Sequence, residues 1–305
     1  MNQIKITKTI PEYLDKDRLD LALSKLLPEY SRGQIQTWIK ANQITVDGKI
    51  LRPKDKVRTD QVVKILAVIE DVSLAKPQPI ELDIVYEDQD IIIINKPAGL
   101  ITHPGAGNPD NTLLNALLYH YPELAKIPRA GIIHRLDKDT SGLLVVARNL
   151  MSHNKLTEAM QKREIKREYE AIVNKNMVAG GTVEANIGRH STKRTHMAVK
   201  ENGKPAITHY RIIKKFPAHT HIKVILETGR THQIRVHMAH IGYPILGDPV
   251  YGKTTKISGK SFKRQALHAS RLELLHPNTN KLISWKAKPP EDFADLVKTL
   301  EKTTC

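Results

Sequence analysis

Cysteine is almost absent: the 305-residue chain has one, Cys305. A single thiol forms no intrachain disulfide and no thiolate cluster for zinc or iron–sulfur, which fits a reducing cytoplasm. Long apolar runs are missing as well. Runs such as Ile91 to Ile94 and Leu143 to Ala147 fall far short of a membrane span, and the opening MNQIKITKTIPEYLDKD has no apolar core. The expected location is therefore the cytoplasm, with no membrane association. Aromatic residues are only 5% of the chain, too few for a platform on which successive bases stack. No glycine-rich strand-to-helix loop of the G-x-G-x-x-G kind occurs, which weakens a methyltransferase reading.

What is present in excess is positive charge. The chain carries 48 Lys and Arg against 32 Asp and Glu, a formal charge of +16. A surplus of this size attracts phosphate backbones, and nucleic acid is the first candidate partner, although a solvated basic surface would look the same on charge alone. With 40% hydrophobic and 26% charged residues the composition is that of a folded protein, and the length suggests two domains. Lys76-Pro77-Gln78-Pro79, a stiff polar stretch between strand-like segments, marks the boundary. We expect residues 1–72 and 81–305 to fold as separate domains joined by residues 73–80.

In the first part, Leu19, Leu23, Leu26 and Leu27 share a helical face and Pro28 stops the helix. Ser31 and Gln34 make an S-x-x-Q capping box for a second helix whose apolar face is Ile35, Trp38 and Ile39. Ile44 to Val46, the turn pair Asp47-Gly48, and Lys49 to Leu51 predict a β-hairpin. In the second part, Asp83 to Asp88 and Asp90 to Asn95 predict paired strands. Asn111 to His120 predicts a helix, Gly142 to Arg148 a buried strand, and Asn149 to Lys162 an amphipathic helix. Tyr169 to Val173, Gly181 to Ala185, Ile207 to Ile213 and Ile222 to Glu227 predict further strands, several close enough to pair antiparallel. The expected class is α+β, a mixed and largely antiparallel sheet with flanking helices.

Two strings concentrate the chemistry. In GIIHRLDKDTSGLLVVAR, Gly131 to Arg148, a charged loop lies between two apolar runs, where a rigid scaffold can present reactive side chains. A carboxylate needed in ionised form there requires a cationic partner; by itself the loop also reads as a surface ion-pair cluster. In ETGRTHQIRVHMAHIGYPILGDPVYG, Glu227 to Gly252, a strand ends, Gly229 permits a turn, and Thr231 is placed to cap a helix bearing Arg235 one turn in. His232, His237 and His240 lie close together, yet only the last two share a face and no H-E-x-x-H occurs, so no metal is assigned.

These strings carry a family resemblance. H-R-L-D-x-x-T-S-G with L-x-V-x-A-R after it, then Lys166 to Ala171 (KREYEA) and Gly229 to His237 (GRTHQIRVH), resembles the ribosomal pseudouridine synthases that carry H-R-L-D, from Leu82 to the C-terminus. R-L-D at Arg18 to Asp20, Ser31-Arg32 and Val46-Asp47-Gly48 resemble the S4 RNA-binding domain. By this resemblance the reaction is isomerisation of uridine to pseudouridine without metal or cofactor. Asp137 matches the catalytic aspartate, Arg235 its cationic partner, Tyr169 the tyrosine stacked on the target base, and Arg135 the side chain that fills the space of the flipped nucleotide. Arg18, Ser31, Arg32 and Lys40 would meet RNA phosphates, and Asp139 is read as structural. Asp83 to Asp88, Thr102 to Asp110, Lys193 to Ala198 and Gly247 to Gly252 are similar to the branch acting on clustered uridines of the 23S rRNA stem-loop near the decoding centre, helix 69. The implied partner is 23S rRNA or an assembling large ribosomal subunit, met by a monomer. A sister synthase with other 23S targets, and a non-catalytic S4-domain RNA-binding or assembly factor, remain alternatives.

Overall fold

The computed structural model describes residues 2–302 apart from 29, 31, 70–74, 106, 194, 253–255 and 258–259. Ser31 and the capping box expected on it, together with residues 73–74 of the expected linker, therefore lie outside the described residues.

The chain starts with β1 (Asn2–Thr9), α1 (Leu19–Leu26), α2 (Arg32–Lys40), β2 (Ile44–Val46) and β3 (Val62–Ile69). Leu19, Ala22 and Leu23 of α1 and Ile35, Trp38 and Ile39 of α2 are buried at helical spacing. They cover an antiparallel sheet of order β1-β3-β2 and form one apolar core with it. The expected hairpin is corrected here. Asp47 and Gly48 do turn with positive φ, but Lys49 makes only an isolated bridge to Val46, and β2 pairs instead with β3. The reason lies in the side chains. Ile44 and Val46 face Ile65 and Val63, all buried, whereas Ile50 is 58% exposed and has no face to cover.

The second part runs through β4 (Ile84–Glu87), β5 (Ile91–Lys96), α3 (Leu113–His120), β6 (Ser141–Ala147), α4 (Leu150–Gln161), β7 (Lys166–Asn174) and β8 (Gly181–Glu184). It continues with β9 (Ile187–Arg189), β10 (Met197–Val199), β11 (Ile207–Lys215), β12 (His219–Leu226) and α5 (Gln233–His240). The short hairpin β13 (Lys256–Ile257) and β14 (Lys260–Ser261) precedes β15 (Leu267–Leu275), β16 (Leu282–Lys286) and α6 (Glu291–Lys302). Nine strands join in one sheet, ordered β4-β5-β6-β15-β7-β12-β11-β8 with β16 on β15. Of its pairings only β6 with β15 is parallel. No helix among the described residues is long and apolar enough to cross a membrane.

Strands β5 and β6 explain the unbroken apolar runs. Ile92, Ile94, Leu144 and Val146 enter one core with α3, while Ile91, Ile93, Leu143 and Val145 enter a second with Leu156 of α4. A strand covered on both faces has no polar side to show water. At the start of β6, Gly142 has φ +113, and a Cβ there would stand 2.3 Å from the carbonyl oxygen of Ala269 on β15. Gly142→Ala is therefore expected to destabilise by about 3 kcal/mol or more, lowering the thermal midpoint by roughly 5–10 °C in a calorimetric melt. An unshifted melt would show that β6 and β15 do not approach so closely.

Candidate active site

The loop from His134 to Thr140, which leads into β6, is held at four successive carbonyls, those of Leu136 to Asp139. Thr102 Oγ1 donates to Leu136 O at 2.7 Å, the amide of Thr140 to Asp137 O at 3.1 Å, and Arg264 Nη1 to Asp139 O at 3.1 Å. Lys138 O accepts from the amide of Gly99 at 2.9 Å and from Lys96 Nζ at 3.0 Å. Lys96 is fully buried and also donates to the carbonyls of Pro97 and Leu100, both at 2.8 Å. Burial pushes its pKa down to about 7, opposed by the charges of Asp139 and Asp137. Three carbonyl acceptors match the three N–H bonds of an ammonium, so the geometry satisfies the charged form. On the other side of the loop, His134 is held neutral by burial and accepts from the amide of Val145 on β6 at 3.3 Å. Asp137 is thereby presented on a fixed backbone.

Its partner comes from α5. The segment before that helix is tied by Gln233, which accepts from Arg230 N and Thr228 Oγ1 and donates to Ile207 O and Thr208 Oγ1 on β11. Thr231 does not cap the helix, contrary to expectation. His232 occupies the cap in the left-handed region, φ 56, without a capping side-chain bond, because Gln233 already serves the turn amide. From this start Arg235 points inward, 4% exposed. Its Nη1 donates to Asp137 Oδ2 at 3.0 Å, and its Nε and Nη2 grip both oxygens of Asp248 at 2.7 and 2.8 Å. Asp248 also accepts from the amides of Val250 and Tyr251, and the Tyr251 ring lies 5.1 Å from the guanidinium carbon. Burial alone would raise the Asp248 pKa, but the hydrogen bonds and charge of Arg235 hold it below its usual value. Burial likewise works against the Arg235 charge and is outweighed by Asp248 and Asp137, so the guanidinium is more firmly protonated than usual.

The Asp137 side chain remains 16% exposed at a cleft of about 630 Å³ that Tyr169, Arg135, Arg167 and His103 also line. Asp137 Oδ2 is taken by Arg235, while Oδ1 has His232 Nε2 only at 3.9 Å. One carboxylate oxygen is clamped and the other faces the cleft. Tyr169, 4% exposed, rises from β7, its pKa raised by burial. The structure thus brings Asp137, Tyr169 and Arg235 into one site with Arg135 exposed at its edge. His237 is buried between Thr208 Oγ1 and Ala185 O, while His240 is exposed, so the three histidines do not converge. Asp248, Lys96, Arg167 and His103 carried no assigned role from sequence. Asp248 stands in the G-D-P string and Lys96 closes a strand pair, but nothing in their spacing announces that one braces Arg235 and the other the Asp137 loop.

In the first domain, Arg18 and Arg32 converge on one buried carboxylate. Arg18 Nε reaches Asp20 Oδ1 at 3.1 Å, and Arg32 Nη2 and Gln36 Nε2 reach Asp20 Oδ2 at 2.8 and 2.6 Å. The arginine side chains stay 46% and 44% exposed, so they are ordered by Asp20 and still face solvent. Lys40 is exposed at the end of α2.

Without Arg235, Asp137 and Asp248 would face each other with no countercharge. Arg235→Met is expected to destabilise by about 3–5 kcal/mol in urea at pH 7. The Asp248 pKa is lowered on folding, so its stabilisation is complete above the ordinary value of 3.8 and is lost as pH falls below it. The gap between wild type and variant should therefore narrow in acid, and a gap independent of pH would exclude this pairing as its source.

Comparison with known proteins agrees with this geometry. Residues 90–240 match the model of the RNA pseudouridylate synthase family and residues 17–63 that of the S4 domain. The chain is 53% identical to the ribosomal large subunit pseudouridine synthase D of Yersinia pestis, covering 99% of this chain and 96% of that one. It is 50% identical to the protein of the same name from Pseudomonas aeruginosa, covering 99% and 97%. Among solved structures, human RNA pseudouridylate synthase domain containing 1 superposes with a TM-score of 0.56 at 27% identity, over 72% of this chain and 95% of that one. The chain belongs to the RNA pseudouridylate synthases, enzymes that isomerise uridine in RNA to pseudouridine, and carries an S4 domain ahead of its catalytic domain.

Proposed function

We propose that this chain converts uridines of 23S rRNA to pseudouridine, with the clustered uridines of helix 69 as its targets and Asp137 as the catalytic carboxylate. The observation that carries the reading is the Asp137 side chain, held by Arg235 at one oxygen and open to the cleft at the other, beside the buried Tyr169. Identity of 53% and 50% over nearly the full length of enzymes named for the large ribosomal subunit supports the choice of RNA. The reacting uridine is turned out of its stack, since uracil inside a helix offers its glycosidic bond to no side chain. Arg135, exposed at the cleft edge, fills the space that the nucleotide leaves.

Arg235 orients Asp137 and sets a positive charge against its Oδ2. The free oxygen then attacks the sugar or the base, or removes a ribose proton to leave a glycal. The N1–C1′ bond opens, the uracil turns against Tyr169, and C5 bonds to C1′. Residues 1–72, through Arg18, Ser31, Arg32 and Lys40, hold RNA phosphates and set position rather than sequence. Residues 73–80 link them to the catalytic domain of residues 81–305.

Asp137→Asn should abolish turnover while leaving RNA affinity nearly unchanged, because it alters one charge on a surface that uses many. Carbodiimide mapping of 23S rRNA from cells lacking the protein, complemented with wild type or Asp137→Asn, tests reaction and target together. The helix 69 signals should return with wild type alone. Signals lost elsewhere would move the enzyme to a sister specificity, and pseudouridine made by Asp137→Asn would remove the catalytic assignment. A chain starting at Lys76 should bind RNA more weakly yet retain the chemistry; inactivity of a folded truncation in single-turnover assays would contradict that division of labour.

A further inference from the structure

Arg167 stands apart from every other cation of the cleft. It lies on β7 two residues before Tyr169, on the same strand face, and is 5% exposed. Among the described residues its side chain has no hydrogen-bond or ion-pair partner, and its Nε is shut off from solvent. Arg129, Arg135 and Arg230 also line the cleft but are exposed, and Arg235 is neutralised by two carboxylates. Asp137 is the one carboxylate among the described lining residues, and Arg235 already holds it. Room for the Arg167 head depends on Gly229: a Cβ there would stand 2.7 Å from Arg167 Nη1. A buried, unpaired guanidinium is unfavourable for folding, and such groups persist where a ligand supplies the missing charge.

We infer that Arg167 is a further catalytic residue, whose guanidinium receives the negative charge that develops on the uracil during isomerisation. The inference rests on the reading of Asp137 given above. Uridine enters neutral, so it passes the buried Leu226 and Leu267 of the cleft wall without carrying a charge, whereas a phosphate meets the exposed arginines first, in water. When the N1–C1′ bond breaks, its electron pair stays on the uracil, spread over N1 and the carbonyl oxygens. Attack of Asp137 on C6 would likewise place an electron pair on the base. Rejoining through C5 returns that pair to the new C5–C1′ bond and frees the Asp137 carboxylate. The C5 proton is then lost as N1 gains one, so no other reactant is needed. A donor already in place in a water-poor site acts on this transient charge without reorganisation.

The test compares wild type, Arg167→Met, Arg167→Lys, Gly229→Ala and Asp137→Asn on a helix 69 RNA. It reads single-turnover rate at saturating enzyme, RNA Kd at several salt concentrations, and melting temperature. Arg167→Met is expected to slow the chemical step by about a hundredfold with Kd unchanged, while its melting temperature rises by a few degrees because an unpaired buried charge is gone. Arg167→Lys should recover part of the rate, and Gly229→Ala should slow it by crowding the head. A full-speed Arg167→Met, or a rate and melting temperature that fall together, would overturn the role. So would a weakened Kd with a salt slope reduced by about 0.9, the mark of one phosphate contact. Activity of wild type and its loss in Asp137→Asn test the underlying reading separately.

Discussion

A guanidinium shared between two carboxylates is the constraint on which this catalytic domain turns. Arg235 is buried, so its charge persists only while Asp248 and Asp137 oppose it. The sharing is unequal. Asp248 is fully enclosed, takes two of the guanidinium's bonds and adds two backbone amides, which makes it the brace. Asp137 takes a single bond and keeps an oxygen at the cleft. The same ion pair thus ties α5 to the loop and leaves one oxygen of the Asp137 carboxylate open to the cleft. Asp137 and Arg235 alone could not meet both tasks, because a fully satisfied bidentate pair would leave no open oxygen.

Around this pair the chain removes freedom from the Asp137 loop by satisfying its carbonyls rather than its side chains. Lys96, Gly99 and Thr102 reach it from the stretch that closes β5, and Arg264 from the segment before β15. A buried lysine that exchanges water for three carbonyls is an expensive support, tolerable because every N–H is used. The loop then continues into a strand packed on both faces, and Gly142 lets that strand lie against β15 closely enough to carry the load into the central sheet. Arg167 makes the opposite choice. Its buried head has no carboxylate beside it, whereas Arg235, buried in the same cleft, has two. The S4 domain repeats the matched pattern at its surface, where Asp20 orders two arginines while their outer edges stay in water.

Much of this was legible in residue order. Periodicity located α1, α3, α4 and β6 because their apolar faces are local properties, set within a few turns or pleats of chain. The strings around Asp137, Tyr169 and Arg235 pointed to a shared site through their resemblance to the H-R-L-D pseudouridine synthases, not through local pattern. What local reading missed depended on partners distant in sequence. The hairpin expected after Asp47-Gly48 yielded to β3, whose Val63 and Ile65 offered burial that Ile50 could not find. Thr231 gave way as a helix cap because Gln233 is anchored on β11.

Sequence by itself determined the two-part α+β plan, the basic surface, and the three side chains that converge on the cleft. Only tertiary structure decided which carboxylate oxygen stays free, that Asp248 and Lys96 brace the site, and that Arg167 is buried without a countercharge. The physical reason is common to all three. Apolar patterning acts through nearest neighbours along an element, whereas charge compensation in a low-dielectric interior is settled by whichever groups the folded chain brings within a few ångströms.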